Sequence, residues 1–334
     1  MLTVKTDYSL KAHNSFGLDV KARYFVEYES AEDLAAFLRD TDVRNSRMVH
    51  IGSGSDLLFT KDYDGYIVHS AVRGKKLLEE KGESVLLSVG AGENWDDLVD
   101  WTISNGYYGL ENLSLIPSEV GAAAVQNIGA YGAEVKDFIV WVDCLDLESC
   151  DTVRFRNAEC GFSYRNSNFK SKWQGRYAII EVAFELSTAF KPNLSYRALK
   201  GVSPEGLTPQ ALRQAVIDIR RSKLPEPEKI GNAGSFFMNP VITAEQYAQL
   251  YRDYPDMPHF DVEGGVKVPA AWLIEQCGWK GRNIGAAGVY ERHPLVIVNL
   301  GGATPQDIIN VADAVVGSVR EKFGISLKPE VIWI

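Results

Sequence analysis

Three segments of the 334-residue chain carry side chains that could do chemistry. In Phe162-Ser163-Tyr164-Arg165-Asn166-Ser167-Asn168-Phe169-Lys170, one arginine stands between aromatic residues. Its guanidinium can clamp a carboxylate through two parallel hydrogen bonds, or lie at the surface packed on Tyr164. Gly231-Asn232-Ala233-Gly234-Ser235-Phe236-Phe237 puts Ser235 on a glycine-supported turn. The order A-G-S-F-F departs from the G-x-S-x-G elbow, so a hydrolase nucleophile is not indicated. A serine there either relays a proton to a carbanion or caps local backbone. Near the end, Lys328-Pro329-Glu330-Val331 opens a short apolar segment with a carboxylate. Taken alone, Glu330 reads as solvated. The three segments are individually weak, and their joint occurrence is the signal.

Two glycine turns follow expected strands. Gly52-Ser53-Gly54-Ser55-Asp56-Leu57 and Gly90-Ala91-Gly92-Glu93-Asn94-Trp95 each begin G-x-G, but Leu57 and Trp95 occupy the third glycine's place. The dinucleotide fingerprint of a Rossmann fold is therefore not met. The N–H groups of Gly52–Ser55 could cradle a pyrophosphate as turn nests do, or close an ordinary tight turn. Gly109–Gly132 (GLENLSLIPSEVGAAAVQNIGAYG) mixes glycine, alanine and apolar residues without a clean helical or strand period. Backbone of that kind can approach a ligand closely, and a ligand offering acceptors would satisfy its N–H groups.

Regular elements must hold these segments in place. Ser30 and Asp33 predict a capped helix over Ala31–Arg39, and Met48–Ile51 reads as a strand feeding the first glycine turn. Trp95–Ser104 reads as a helix with Leu98, Trp101 and Thr102 on one side, and Ile139–Leu186 as strand-rich. Thr208-Pro209 starts a helix to Arg221, stopped by Leu224-Pro225-Glu226-Pro227. Helices over Ala244–Asp253 and Pro305–Phe323 follow, the latter ended by Gly324, and Glu330–Ile334 closes the chain as a strand. The mixed order argues for α+β rather than a regularly alternating sheet.

Composition narrows the partners. A net charge of -9 argues against nucleic acid or an anionic membrane, so an anionic ligand must be held by local cations and backbone N–H groups. No apolar run approaches the ~18 residues of a spanning helix. The opening residues lack a basic region followed by an apolar core, which predicts no secretory leader and a cytoplasmic protein. Cys144, Cys150, Cys160 and Cys277 form no C-x-x-C pair, and the five histidines no H-E-x-x-H, so reduced thiols and no catalytic metal are expected.

Together GSGSDLLF, VGAGENWDDLV, GLENLSLIPSEVGAAAVQNIGAYGAE, FSYRNSNFK, KLPEPEKIGNAGSFFMNP and KPEV resemble UDP-N-acetylenolpyruvoylglucosamine reductases, the MurB enzymes of peptidoglycan synthesis. The likeness runs in order from about residue 14 to residue 334, and is to the subgroup with a tyrosine loop over the substrate. It implies a vanillyl-alcohol-oxidase-like (PCMH-type) FAD module of two subdomains, 1–72 and 73–213. A C-terminal α/β substrate domain over 218–324 follows, with the strand 325–334 returning to the active site.

By the same resemblance Arg165, Ser235 and Glu330 are catalytic, Ser235 as proton donor, and Tyr196, Lys223, Asn239 and His293 bind the substrate. Gly52, Ser53, Gly54, Ser55, Asp56 and Leu57 would contact FAD, as would Ile116, Pro117, Ser118, Val120, Gly121, Gln126, Asn127, Ile128, Gly129, Ala130, Tyr131 and Gly132. It implies non-covalent FAD, NADPH as hydride donor, a UDP-amino-sugar substrate and a monomer. Ser118, Met238 and His293 depart from the glycine, lysine and glutamine expected there. A sugar or alcohol oxidase on the same fold, or a non-catalytic nucleotide-binding regulator, are the rival readings. The first often tethers flavin through His or Cys, which the flavin loops lack; the second would have little use for Arg165, Ser235 and Glu330 together.

Overall fold

Alternating apolar residues in 84–90 and 177–187 make two-faced strands whose inner side chains need cover. In the computed structural model, which describes residues 2–334, these strands are Ser84–Gly90 and Tyr177–Ser187. They lie inside an antiparallel sheet ordered 152–156, 139–146, 177–187, 84–90, 75–81. The chain groups into two units: 2–8, 22–53 and 63–220 form the first, and 9–21, 54–62 and 221–334 the second.

In unit 1, helices α1 (Ala31–Leu38) and α2 (Thr41–Arg44) accompany a four-stranded sheet ordered 4–9, 21–28, 63–70, 48–51. Its strands 21–28 and 48–51 both run parallel to 63–70. Ser30 caps α1 as expected, accepting the Asp33 N–H at 3.1 Å. The sheet changes between Ser70 and Lys75, while 54–62 groups with unit 2.

Helices α3 (Trp95–Ser104) and α4 (Val120–Gln126) cover the antiparallel sheet. The buried side of α3 is Trp95, Leu98, Val99, Thr102 and Ile103, so Trp101 lies at its margin rather than on the expected face. Helix α4 corrects the expectation of an irregular Gly109–Gly132. Glycine and alanine give no periodic contrast in the sequence, yet they let the helix sit directly on a neighbouring segment. The Gly121 N–H donates to Ala91 O at 2.8 Å, and a β-carbon on Gly121 would stand 2.9 Å from that of Ala91. Asn127, with φ +47°, ends the helix. Helix α5 (Pro209–Lys223) closes the unit with Leu212 and Val216 buried against Leu199.

Unit 2 is built on the antiparallel sheet 231–235, 296–299, 287–289, 283–284. Helices α6 (Ala244–Asp253), α7 (Ala270–Gln276) and α8 (Pro305–Phe323) follow the chain around it. In α8 Ile308, Val311, Ala312, Val315, Val319 and Phe323 make one buried stripe. Its ends are those expected: a Thr304–Asp307 capping box and left-handed Gly324 at φ +66°. The terminal strand is shorter than expected, Ile332–Trp333, and pairs in parallel with Leu57–Leu58. The segment 9–21 is bound to this unit by the Asn232 N–H, which donates to Ser15 O at 2.9 Å, and by Asn299 Nδ2, which donates to Phe16 O at 2.9 Å.

The approach is close enough to demand glycine at 231, where a β-carbon would stand 2.1 Å from the Phe16 carbonyl oxygen. Gly231→Ala is therefore expected to destabilise the protein by roughly 1–3 kcal/mol, the ordinary penalty of overpacking. Gly201→Ala, where nothing lies within 4 Å, should change stability by less than about 0.5 kcal/mol. Denaturant melts of the two variants against the parent check both values.

Candidate active site

The first glycine turn leaves the strand Met48–Ile51 beside 63–70, with Ile51 opposite His69. A β-carbon on Gly52 would come 2.8 Å from that of Ala122 and 3.3 Å from Glu119 Oε2. Thus the turn and α4 touch through backbone and short side chains. Glu119 in turn is tied to buried His69, whose Nε2 lies 3.0 Å from Glu119 Oε1 while Nδ1 lies 3.1 Å from Glu27 Oε1. Burial opposes a charged imidazole here, but hydrogen bonds and charge from Glu119 and Glu27 outweigh it, so the His69 pKa is raised. Beyond Ser53 the turn passes into unit 2, where Gly54, at φ +69°, accepts the Ser15 N–H at 3.1 Å.

The second loop, from Leu115 to Gly132, carries three non-glycine residues at positive φ: Leu115 (+57°), Asn127 (+47°) and Tyr131 (+49°). Of the expected cofactor contacts, Ser118, Val120, Gly121, Asn127 and Ile128 are buried. Gln126 and Gly129–Tyr131 are partly open, and Pro117 and Gly132 exposed. Asn127 is fully committed to the protein: its Nδ2 donates to Glu134 Oε2 and Ser163 O at 3.0 and 2.8 Å, and its Oδ1 accepts the Lys136 N–H at 3.2 Å. Its backbone N–H is engaged as well, donating to Ala124 O at 3.2 Å. Ser118 donates its hydroxyl to Glu119 O at 3.1 Å, a local use that a glycine would lack.

Arg165 occupies a tight turn in which Ser163 and Asn166 exchange backbone hydrogen bonds at 2.9 and 3.1 Å. Its φ of +53° is unusual for a bulky residue. The guanidinium donates to Gly129 O at 2.6 Å and lies 5.4 Å from the Tyr164 ring centre. It is therefore both packed on Tyr164 and joined to the second loop. Tyr196 is 48% exposed, its ring edge-on to that of Tyr131 with centres 5.5 Å apart.

Sequence reasoning missed Arg220, at the last turn of α5. Its Nε donates to Leu115 O at 3.1 Å, and it pairs with no carboxylate among the described residues. Burial, opposed by attraction to Tyr131 and Asp96 but reinforced by the like charge of Arg165, lowers its pKa. Arg213, about two turns earlier on α5, is instead neutralised by Asp96 at 2.6 Å. A buried cation without a partner is costly until an anion joins it. No motif marks such a residue; an arginine on the helix side facing the loop is the only trace in sequence.

In unit 2, the antiparallel strands 231–235 and 296–299 set Ser235 opposite Val296. Gly234, at φ +68°, donates its N–H to Asn232 Oδ1 at 2.9 Å and turns the chain toward Ser235. The Ser235 hydroxyl is half-buried and bonds to no protein atom among the described residues. Phe236–Met238 then runs beside Lys328–Glu330, with the Glu330 N–H donating to Phe236 O and the Met238 N–H to Lys328 O, both at 2.9 Å. Ser235 and Glu330, 95 positions apart in sequence (330 less 235), thus meet on adjacent segments.

Asn239 spends its Oδ1 on the Ala270 N–H at 2.9 Å, holding the start of α7, and keeps its Nδ2 for another partner. Lys223 is exposed. His293 accepts the Leu295 N–H at Nδ1, 3.3 Å away. Burial first, then the charges of Lys223 and Lys280, lower its pKa, so it is neutral near pH 7.

The fold of unit 1 and the loops it presents are those of a flavin-binding protein: an FAD binding domain model matches residues 22–156. A second model, UDP-N-acetylenolpyruvoylglucosamine reductase, C-terminal domain, matches residues 226–334. A UDP-N-acetylenolpyruvoylglucosamine reductase of Bacteroides fragilis is 47% identical over 330 residues, covering 98% of this chain and 99% of the relative. One from Porphyromonas gingivalis is 45% identical over 337 residues and covers both chains completely. The crystal structure of the Thermus caldophilus enzyme aligns with a TM-score of 0.69 at 22% identity, covering 100% of this chain and 98% of that one, and speaks for the fold. The chain belongs to the UDP-N-acetylenolpyruvoylglucosamine reductase family.

The Glu27–His69–Glu119 arrangement makes unit 1 sensitive to alkali. Because the folded pKa of His69 lies above the ordinary 6.5, its stabilising charge is fully present below that value and is lost as pH rises through the folded one. Thermal melts of the protein between about pH 6 and pH 9 should therefore decline, and His69→Gln should flatten that slope. An unchanged slope in the variant would assign the decline to other groups.

Proposed function

We propose that this chain reduces the enolpyruvyl ether of UDP-N-acetylglucosamine enolpyruvate to UDP-N-acetylmuramate, using NADPH and FAD, in peptidoglycan precursor synthesis. The observation that carries the reading is near-complete coverage at 45–47% identity by reductases of that name, together with the FAD binding domain. The residues present fit a dinucleotide. Gly52, Gly129 and Gly132 present backbone without side chains in the two loops, and at Gly52 a β-carbon would press on Ala122, so the first turn lies directly on α4. Holding the flavin without a covalent bond follows from the absence of His or Cys in those loops. The reading places the enzyme in the cytoplasm as a monomer. No helix among the described residues is long and apolar enough to cross a membrane.

Bound FAD would supply the hydride chemistry that links NADPH to the vinyl carbon of the substrate. The protein's part is to stabilise the negative charge that this leaves on the adjacent carbon and its carboxylate. Arg165, whose guanidinium donates to Gly129 O, is the cation set against that carboxylate. Glu330 polarises the same group from its own segment. Ser235, whose hydroxyl has no hydrogen-bond partner among the described residues, can give its proton to the carbanion. Lys223 and the free amide of Asn239 serve the diphosphate and sugar, while neutral His293 presents a dipole rather than a charge. Tyr196, half-exposed on its loop, covers the ligand.

Two measurements test these roles. Ser235→Ala should leave reduction of bound FAD by NADPH intact, yet slow reoxidation by the enolpyruvyl sugar by about 10²–10⁴-fold, the range for a lost general acid. Equal slowing of both half-reactions would make Ser235 structural. Lys223→Ala should raise KM for the UDP-sugar more than KM for NADPH; an unchanged value would return Lys223 to the solvated surface.

A further inference from the structure

The Tyr196 loop is tied to the second glycine-rich loop by two side-chain amides. Asn112, only 2% exposed, donates through Nδ2 to Tyr131 O at 2.8 Å and to Asn193 O at 2.9 Å. Asn193 answers from the other side, donating through its own Nδ2 to Gly132 O at 3.0 Å. Its Oδ1 accepts from the Ser195 hydroxyl at 2.7 Å and from the Ser195 N–H at 3.2 Å. Asn193 is thus used at both ends of its amide and Asn112 at its donor end, and three hydrogen bonds join residue 112, the pair 131–132 and residue 193. The contact is tight: a β-carbon on Gly132 would stand 3.0 Å from Ser195 Oγ.

The backbone being held is not in a relaxed state. Tyr131 and Gly132 have successive positive φ values of +49° and +86°. An aromatic residue in the left-handed region carries strain on the order of 1 kcal/mol and persists only where neighbours fix it. That conformation turns the two carbonyls toward Asn112 and Asn193 rather than into a helix or sheet. Packing acts in the same direction. Leu199 is buried with Leu212 and Val216 of α5, and Tyr131, Phe190 and Leu194 pack on that cluster. Tyr131 and Tyr196 stand edge to face across the join.

We propose that Asn112 and Asn193 form a clasp that positions Tyr196 before the sugar nucleotide arrives. The proposal rests on the reading of Tyr196 as the residue that covers the substrate. A free loop must lose its freedom when it closes, and that loss is subtracted from binding. A loop already fastened at 193–195 has lost most of it in folding, leaving the Tyr196 side chain as the moving part. Asn112 and Asn193 are positioning residues on this account, since neither presents an atom to the substrate.

The consequence is an effect on KM with little effect on kcat, and a loop that resists protease. Asn112→Asp keeps the shape but removes both donated hydrogen bonds and sets carboxylate oxygens against two carbonyls. Asn193→Ala cuts the loop-side bonds on an exposed segment that does not threaten folding. Each variant should raise KM for the enolpyruvyl sugar roughly tenfold, as one or two lost hydrogen bonds do, with kcat within about threefold. The double variant should be no worse than Asn112→Asp alone, because both break one clasp. Trypsin should cut after Arg197 and Lys200 faster in each variant than in the parent holoenzyme. Unaltered cleavage in both variants overturns the clasp. Faster cleavage with unchanged KM, alongside a raised KM in Tyr196→Ala, shows the clasp to be structural only and also overturns the proposal. If Tyr196→Ala leaves KM unchanged, the substrate-covering role of Tyr196 is what fails, and the proposal falls with it.

Discussion

Backbone that comes close to a ligand cannot be regular helix or sheet throughout, and its unpaired carbonyl and N–H groups must be satisfied by something else. In this protein buried asparagines do that work. Asn14, Asn112, Asn127 and Asn232 are the asparagines in its interior, and each serves an irregular segment of the candidate site. Asn127 joins three partners around the end of α4. Asn232 donates to Pro225 O and Ile230 O, at 3.2 and 2.8 Å, and accepts from the Gly234 N–H just before Ser235. Asn14 donates to Leu10 O and Leu18 O and accepts from the Leu18 N–H, shaping the segment that then bonds Gly54 and Asn232. One primary amide supplies two donors and an acceptor in fixed geometry, which suits it to replace a missing ladder. Leaving any of these buried backbone groups unpaired would carry the full desolvation penalty.

Charge is arranged with the same economy of partners. Around the second loop of unit 1, Lys136 is paired with Glu134 at 2.6 Å and Arg213 with Asp96 at 2.6 Å. Arg220 is the exception, bonded to a carbonyl and crowded by a like charge. In an acidic chain, a cation without a carboxylate partner is the uncommon case. Glu119 shows the converse. Beside the turn at Gly52, its carboxylate is matched by His69.

Helices with a cap, a stop and a periodic apolar face were legible from sequence alone. Helix α8 has Thr304, Pro305 and Gly324 at its ends and a six-residue buried stripe between them. Helix α4 was not legible, because a run of glycine, alanine and valine offers no contrast between faces; it is a helix because Ala91 and the sheet beneath accept it. The stripe of α3 shifted from Trp101 to Trp95 for a related reason, since the sheet and not the helix decides which edge is covered.

The sequence by itself determined the family, the flavin-binding class and the short motifs in which Arg165, Ser235 and Glu330 stand, because those depend on residue type and order. Tertiary structure decided how those residues are held. Asn112 meets partners 19 and 81 positions away, and His69 meets Glu119 across 50. Nothing local to an asparagine or a histidine says that its partner will arrive from so far along the chain. Hydrogen bonds are short-ranged in space and indifferent to sequence separation, so only the folded backbone can reveal which charged groups meet a carboxylate and which, like Arg220, meet a carbonyl instead.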